Sequence, residues 1–124
     1  NDLTARDTQK EAQDAKAPWA LAKGFKQSCG LGPWVKVSEL TKKGLSLNNL
    51  EIRLTLDGEL KQHGNTSDML FDIPTLIKYL IENFPVQPGD IVLTGTPEGV
   101  GQVKSGQEII AEIVGVSRAV WRYK

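Results

Sequence analysis

The chain has 124 residues, 15 basic and 15 acidic side chains, and 40% hydrophobic residues. A formal charge of zero argues against nucleic acid as a main partner, because phosphate contact needs a basic excess, and no apolar run reaches the roughly 18 residues of a membrane span. The length suits one domain with a modest core. A single cysteine, Cys29, excludes a disulfide framework within the chain and fits a reducing, cytoplasmic setting. With His63 the one histidine, Cys29 lacks a nearby base and no zinc-type cluster is present, so a buried structural thiol is expected. In that setting the Asn65-Thr66-Ser67 acceptor pattern carries no glycosylation expectation.

The stretch from Asn1 to Lys23 gathers an acid, a guanidinium, an amide and an ammonium. It opens without a methionine and with Asp2 at its edge, as a piece cut from a larger domain would. Thr4 followed by Asp7 has the form of a helix start, and strong helix formers lead to a stop at Pro18. A helix over about 4–16 sets Arg6, Gln9 and Gln13 on one side, with Asp2 just ahead. That side reads either as a solvated surface with a weak Asp2–Arg6 ion pair or as the wall of a polar site. Lys23 sits among Trp19 and Phe25. It reads as a lysine snorkelling to solvent or as an ammonium held to meet an oxyanion.

Trp34 to Val37 is expected as a short strand. Leu50, Ile52, Leu54 and Leu56 alternate with polar residues, the period of a half-buried strand. Asp57-Gly58 marks a hairpin turn, Glu59 to Gln62 a returning polar strand, and His63 to Asp68 a loop with a solvent-facing histidine. Ile73, Leu76, Ile77, Leu80, Ile81 and Phe84 repeat at helical spacing, with Pro74 in the first turn and Pro85 beyond the end. This helix is expected to pack against the core. Ile91 to Leu93 is expected as a short buried strand emptying into Thr94-Gly95-Thr96-Pro97-Glu98-Gly99-Val100-Gly101. That loop reads as a tight turn or as an anion seat made of backbone amides and threonine hydroxyls. No Gly-Lys-Ser/Thr follows, so it is not a nucleotide loop. Glu108 to Tyr123 is a long strand, or a pair broken near Gly115. The tally of two helices and six or seven strands gives an α+β or mostly-β fold.

Four segments, in order, resemble the fumarylacetoacetate hydrolase family. Asn1 to Gln9 is similar to its NDxxARDxQ signature and Pro18 to Phe25 to its PW-x-LAK-x-F segment. Asp57-Gly58-Glu59 with Gly64 to Phe71 follows its hairpin and loop, and Pro88 to Gly101 matches PGDxxxTGTPxGVG. The resemblance covers essentially the whole chain. It implies a mixed β-sandwich roll with two or three short helices, assembled as a homodimer, with residues 1–124 forming the C-terminal part of one catalytic domain. It further implies a divalent metal, Mg²⁺ or else Mn²⁺ or Ca²⁺, for which Asp2 is one ligand. The family's Glu-x-Glu ligand pair and His–Glu dyad are expected upstream, so the stretch on its own is expected to be inactive. The implied activity is hydrolysis of the C–C bond of a 2,4-diketo acid, or else isomerisation or decarboxylation of a dienoic diacid or oxaloacetate at the same site. Implied roles are an ammonium beside the metal for Lys23, a hydrogen bond to substrate oxygen for Gln9, and orientation of the Asp2 end or contact with substrate for Arg6. Gly95 and Thr96 are implied to hold the carboxylate end of a small keto acid.

Overall fold

The computed structural model describes residues 1–123, and the chain divides into two compact units, Asn1–Leu31 and the residues from Gly32 onward.

In the first unit an extended opening leads into α1 (Arg6–Asp14), and a short α2 (Ala20–Lys23) follows. The opening runs antiparallel to the segment after α2. Leu3 N donates to Ser28 O at 2.8 Å, Gly30 N to Asn1 O at 2.9 Å, and Ala5 N to Ala22 O at 3.0 Å. Ala22, whose carbonyl accepts the last of these bonds, is buried. Thr4 does not cap α1: the N-cap position is Ala5, with no side-chain bond. Cys29 pairs with Asp2 in an isolated bridge and is exposed, not the buried thiol expected from composition.

The second unit carries α3 (Val37–Lys42), β1 (Glu51–Leu56), β2 (Glu59–Asn65), a 3₁₀ turn at Thr66–Asp68, α4 (Ile73–Asn83), β3 (Glu108–Ile113) and β4 (Ser117–Arg122). The strands form one antiparallel sheet in the order β2-β1-β3-β4. Directly opposed residues share a face. Ile52 and Ile113, Leu54 and Ala111, and Leu56, Ile109 and Trp121 therefore make the apolar side, with Ile109 fully buried. The opposite side carries Arg53, His63, Glu112 and Arg118. The β1–β2 hairpin turns on Asp57 and Gly58 at φ 49° and 83°, the doubly left-handed pair that matches the twist of the flanking strands. The register slips between Leu54 and Thr55, so that Leu54 faces Gln62 and Thr55 faces Leu60. Lys61 is thus the extra residue of a β-bulge.

The described residues form four α-helices and four strands, the expected α+β class with a different tally. Trp34 to Val37 is not a strand. Trp34 is exposed, and Val37 opens α3, where Glu39 in the first turn and Lys42 in the last complement the helix dipole. Ile91 to Leu93 is also not a strand; Ile91 and Leu93 are exposed, since an apolar run cannot supply the pairing partner a strand requires. His63 belongs to β2 and not to a loop. Its Nε2 lies 2.8 Å from Glu51 Oε1 across the ladder. The Arg53 guanidinium, then this imidazole, hold the Glu51 carboxyl below its ordinary range. The helix expected over 73–84 is α4, with Asp72 accepting from Thr75 N at 2.9 Å as its cap and Pro74 in the first turn. It is not the core-packing helix expected from its stripe: none of its residues is buried, and Ile81 is 64% exposed.

Candidate functional site

The opening strand and α2 build the first constellation. Along extended backbone, residues two apart point the same way, which puts Asp2 and Thr4 on one side. Lys23, the last residue of α2, reaches both. Its Nζ donates to Asp2 Oδ2 and to Thr4 Oγ1, each at 2.8 Å. Side-chain exposures of 38% for Lys23 and 24% for Asp2 place the pair between a screened surface bridge and a buried one. Lys23 is therefore tied by two directed bonds and does not simply snorkel between Trp19 and Phe25. Asp2 pairs with this lysine and not with Arg6.

Arg6 and Gln9 form the second element of the unit. Arg6 Nη1 donates to Gln9 Oε1 at 3.0 Å, and Gln9 is the one buried residue of α1. A buried amide in a helix of otherwise solvated residues is unusual, because a polar group leaves water only when its bonds are made. With Oε1 engaged by the guanidinium, the amide's orientation is set and Nε2 becomes its donor end.

The glycine-rich loop lies in the second unit. Gly95 has φ 124°, which an L side chain rarely adopts, and the neighbouring Thr96 is exposed. The loop is pinned at Pro97 and Glu98, whose carbonyls accept from Gln62 Nε2 at 2.8 Å and 3.4 Å. The structure thus brings Asp2, Lys23 and, unforeseen, Thr4 together, joins Arg6 to Gln9, and sets Gly95 and Thr96 on a loop held by β2. Thr4 and Gln62 are the residues that sequence reasoning missed. The two-residue offset from Asp2 was a usable signal for Thr4; nothing local distinguished Gln62 within a polar strand.

The donor chemistry of Asp2 suits the implied metal, since hard divalent cations take carboxylate oxygens. One carboxylate is a single ligand, and among the described residues no three His, Cys, Asp or Glu side chains cluster to hold an ion. No helix of the described residues is long and apolar enough to cross a membrane.

Comparison with known proteins places these motifs. The chain is 44% identical over 115 residues to the mitochondrial oxaloacetate tautomerase of Bos taurus, matching 93% of this chain and 50% of that protein. It is 40% identical to the mitochondrial oxaloacetate decarboxylase of Dictyostelium discoideum, again over 93% of this chain and 51% of the relative. The chain thus spans about half the length of the curated relatives it matches. The crystal structure of fumarylpyruvate hydrolase from Pseudomonas aeruginosa in complex with Mn²⁺ and pyruvate superposes with a TM-score of 0.87 at 32% identity, covering 98% of this chain and 51% of that one. The family profile described as fumarylacetoacetate (FAA) hydrolase C-terminal matches residues 1–121. With the motifs, the fold and the profile in agreement, the chain belongs to the fumarylacetoacetate hydrolase family.

Proposed function

We propose that this chain carries the lysine-bearing part of a divalent-metal-dependent enzyme that cleaves the C–C bond of a 2,4-diketo acid. The observation that carries the reading is the Lys23 ammonium held 2.8 Å from both Asp2 Oδ2 and Thr4 Oγ1. An ammonium fixed at two points in a partly desolvated place is a preorganised positive charge, worth most where negative charge develops during reaction. When water attacks the 4-keto carbon and the C3–C4 bond breaks, the bonding pair moves onto the pyruvate fragment as an enolate, which then takes a proton. Lys23 supplies charge and a hydrogen bond to that enolate oxygen. Gln9 Nε2 donates to a substrate oxygen, and Arg6 keeps the amide turned for that purpose. For Gly95 and Thr96, in the second unit, the role kept is the one the resemblance implies: the threonine hydroxyl and the glycine backbone take a keto-acid carboxylate. Asp2 would hold Mg²⁺, with Mn²⁺ or Ca²⁺ as substitutes, and the bound metal would add positive charge at the 2-keto carboxylate. The Mn²⁺ and pyruvate in the Pseudomonas fumarylpyruvate hydrolase support both the ion class and the keto-acid class. A homodimer is the proposed assembly.

A second reading has its own support. The two curated relatives described above are named an oxaloacetate tautomerase and an oxaloacetate decarboxylase, reactions that pass through the same kind of enolate. Product analysis of the full-length protein with Mg²⁺ on acylpyruvates, oxaloacetate and dienoic diacids separates the readings. Carboxylate and pyruvate from an acylpyruvate mark the hydrolase. Keto–enol exchange or pyruvate from oxaloacetate with inert acylpyruvates marks the alternative. Asp2→Ala is expected to abolish Mg²⁺ binding by calorimetry, and undiminished affinity would defeat the metal assignment in either case.

A further inference from the structure

The loop at 94–101 has no helix or strand of its own, yet three neighbouring features of one edge strand meet it. Gln62, half-buried, donates through one nitrogen to the carbonyls of Pro97 and Glu98 at 2.8 Å and 3.4 Å. Gly64, two residues on and so on the same face, leaves room for the Pro97 ring: a Cβ there would lie 3.1 Å and 3.2 Å from its Cβ and Cγ. Between the hairpin turn and Gln62, the bulge takes Lys61 out of the regular pairing. Gly99, at φ +89°, packs so closely on the Lys61 carbonyl that a Cβ would collide with it. A loop without a hydrogen-bonded ladder takes its order from the scaffold beneath it. Here that scaffold is β2, and Gln62 makes the two side-chain bonds.

We infer that Gln62 is a positioning residue for the substrate loop. Its amide, whose two hydrogens match two carbonyl acceptors, fixes Pro97 and Glu98 and thereby presents Gly95 and Thr96 to the keto-acid carboxylate. The inference rests on the carboxylate-binding role proposed for Thr96. Glutamate at 62 would keep the size but turn a donor into an acceptor facing two carbonyl oxygens. Methionine would keep the size and remove both bonds.

The test uses the full-length protein with Gln62→Met, Gln62→Glu and, separately, Thr96→Val. Hydrogen exchange is followed over residues 94–101 without ligand, and KM and kcat are measured on whichever keto acid the full-length protein converts. Gln62→Met is expected to speed exchange in the loop by about tenfold, the scale of one or two neutral hydrogen bonds, while amides of β1 and β3 are unchanged. KM is expected to rise by about the same factor, with kcat much less affected. Gln62→Glu, of the same size, should exceed both effects and serves if Gln62→Met does not fold. Unchanged loop exchange in a folded Gln62 variant overturns the inference, as does faster exchange with an unchanged KM while Thr96→Val raises KM. Faster exchange and a raised KM, with Thr96→Val inert, supports the hold of Gln62 on the loop and instead refutes the role of Thr96.

Discussion

Replacing Lys23 with methionine in the full-length protein separates catalysis from stability, because the role proposed for the ammonium and the bonds it makes imply very different magnitudes for the two. Methionine keeps the length and apolar stem of the side chain and removes the ammonium, and with it the 2.8 Å bonds to Asp2 Oδ2 and Thr4 Oγ1. More than a third of the lysine side chain is exposed and about a quarter of the aspartate. The pair is therefore worth less than a fully desolvated charge-assisted bond, and the expected loss of stability is about 1 kcal/mol. A preorganised donor aimed at developing charge contributes more. Its loss is expected to lower kcat by about 10²–10³-fold, or about 3–4 kcal/mol. Mg²⁺ affinity should not fall, since a cation adjoining the Asp2 carboxylate has been removed. The assay is steady-state turnover with saturating Mg²⁺, alongside urea unfolding of the same preparation. A folded Lys23→Met protein whose kcat stays within about threefold of wild type would refute the reasoning, whatever reaction the enzyme performs.

The other predictions concern the fold. Ile109 is 1% exposed at the centre of the apolar sheet face, so Ile109→Ala should cost about 2–4 kcal/mol by the lost transfer energy and the cavity left behind; a urea midpoint close to wild type with unchanged slope would contradict this core assignment. Asp57 accepts from Glu108 N and Gln107 Nε2, both at 2.8 Å, which hold its carboxyl below the ordinary 3.8. A lowered folded-state pKa means that the unfolded chain binds the proton more tightly. The stabilisation is therefore complete above the ordinary aspartate range and is lost as pH falls below 3.8 toward the folded-state value. Asp57→Asn should flatten the acid limb of stability against pH, and an identical acid limb in the variant would remove Asp57 from the explanation.

The signals that survived from sequence to structure are the local ones. The alternation through Ile52, Leu54 and Leu56 reports which side of a strand each residue occupies, and β1 follows it. Asp57-Gly58 supplies the left-handed pair that a tight hairpin needs. Asp72 and Pro74 start α4 by chemistry contained within one helical turn. The motif residues Asp2, Arg6, Gln9 and Lys23 were legible as a polar set. Their bonding was not, because Lys23 meets Asp2 across 21 positions of sequence, and Thr4, whose pattern indicated a cap, gives its oxygen to that lysine instead. Trp34 to Val37 and Ile91 to Leu93 have strand-like composition and no strand partner, since pairing is a property of two segments and composition of one.

Local periodicity and turn chemistry, which act over a few bonds, were thus set by the amino-acid order alone: the hairpin, the capped helix and the polar character of the opening. The chain's path decided the rest. Only folding brings α2 to the opening strand or lays the 94–101 loop on Gln62 some 35 residues away. Side-chain partners across such separations are selected by which surfaces meet, and no window along the sequence contains both.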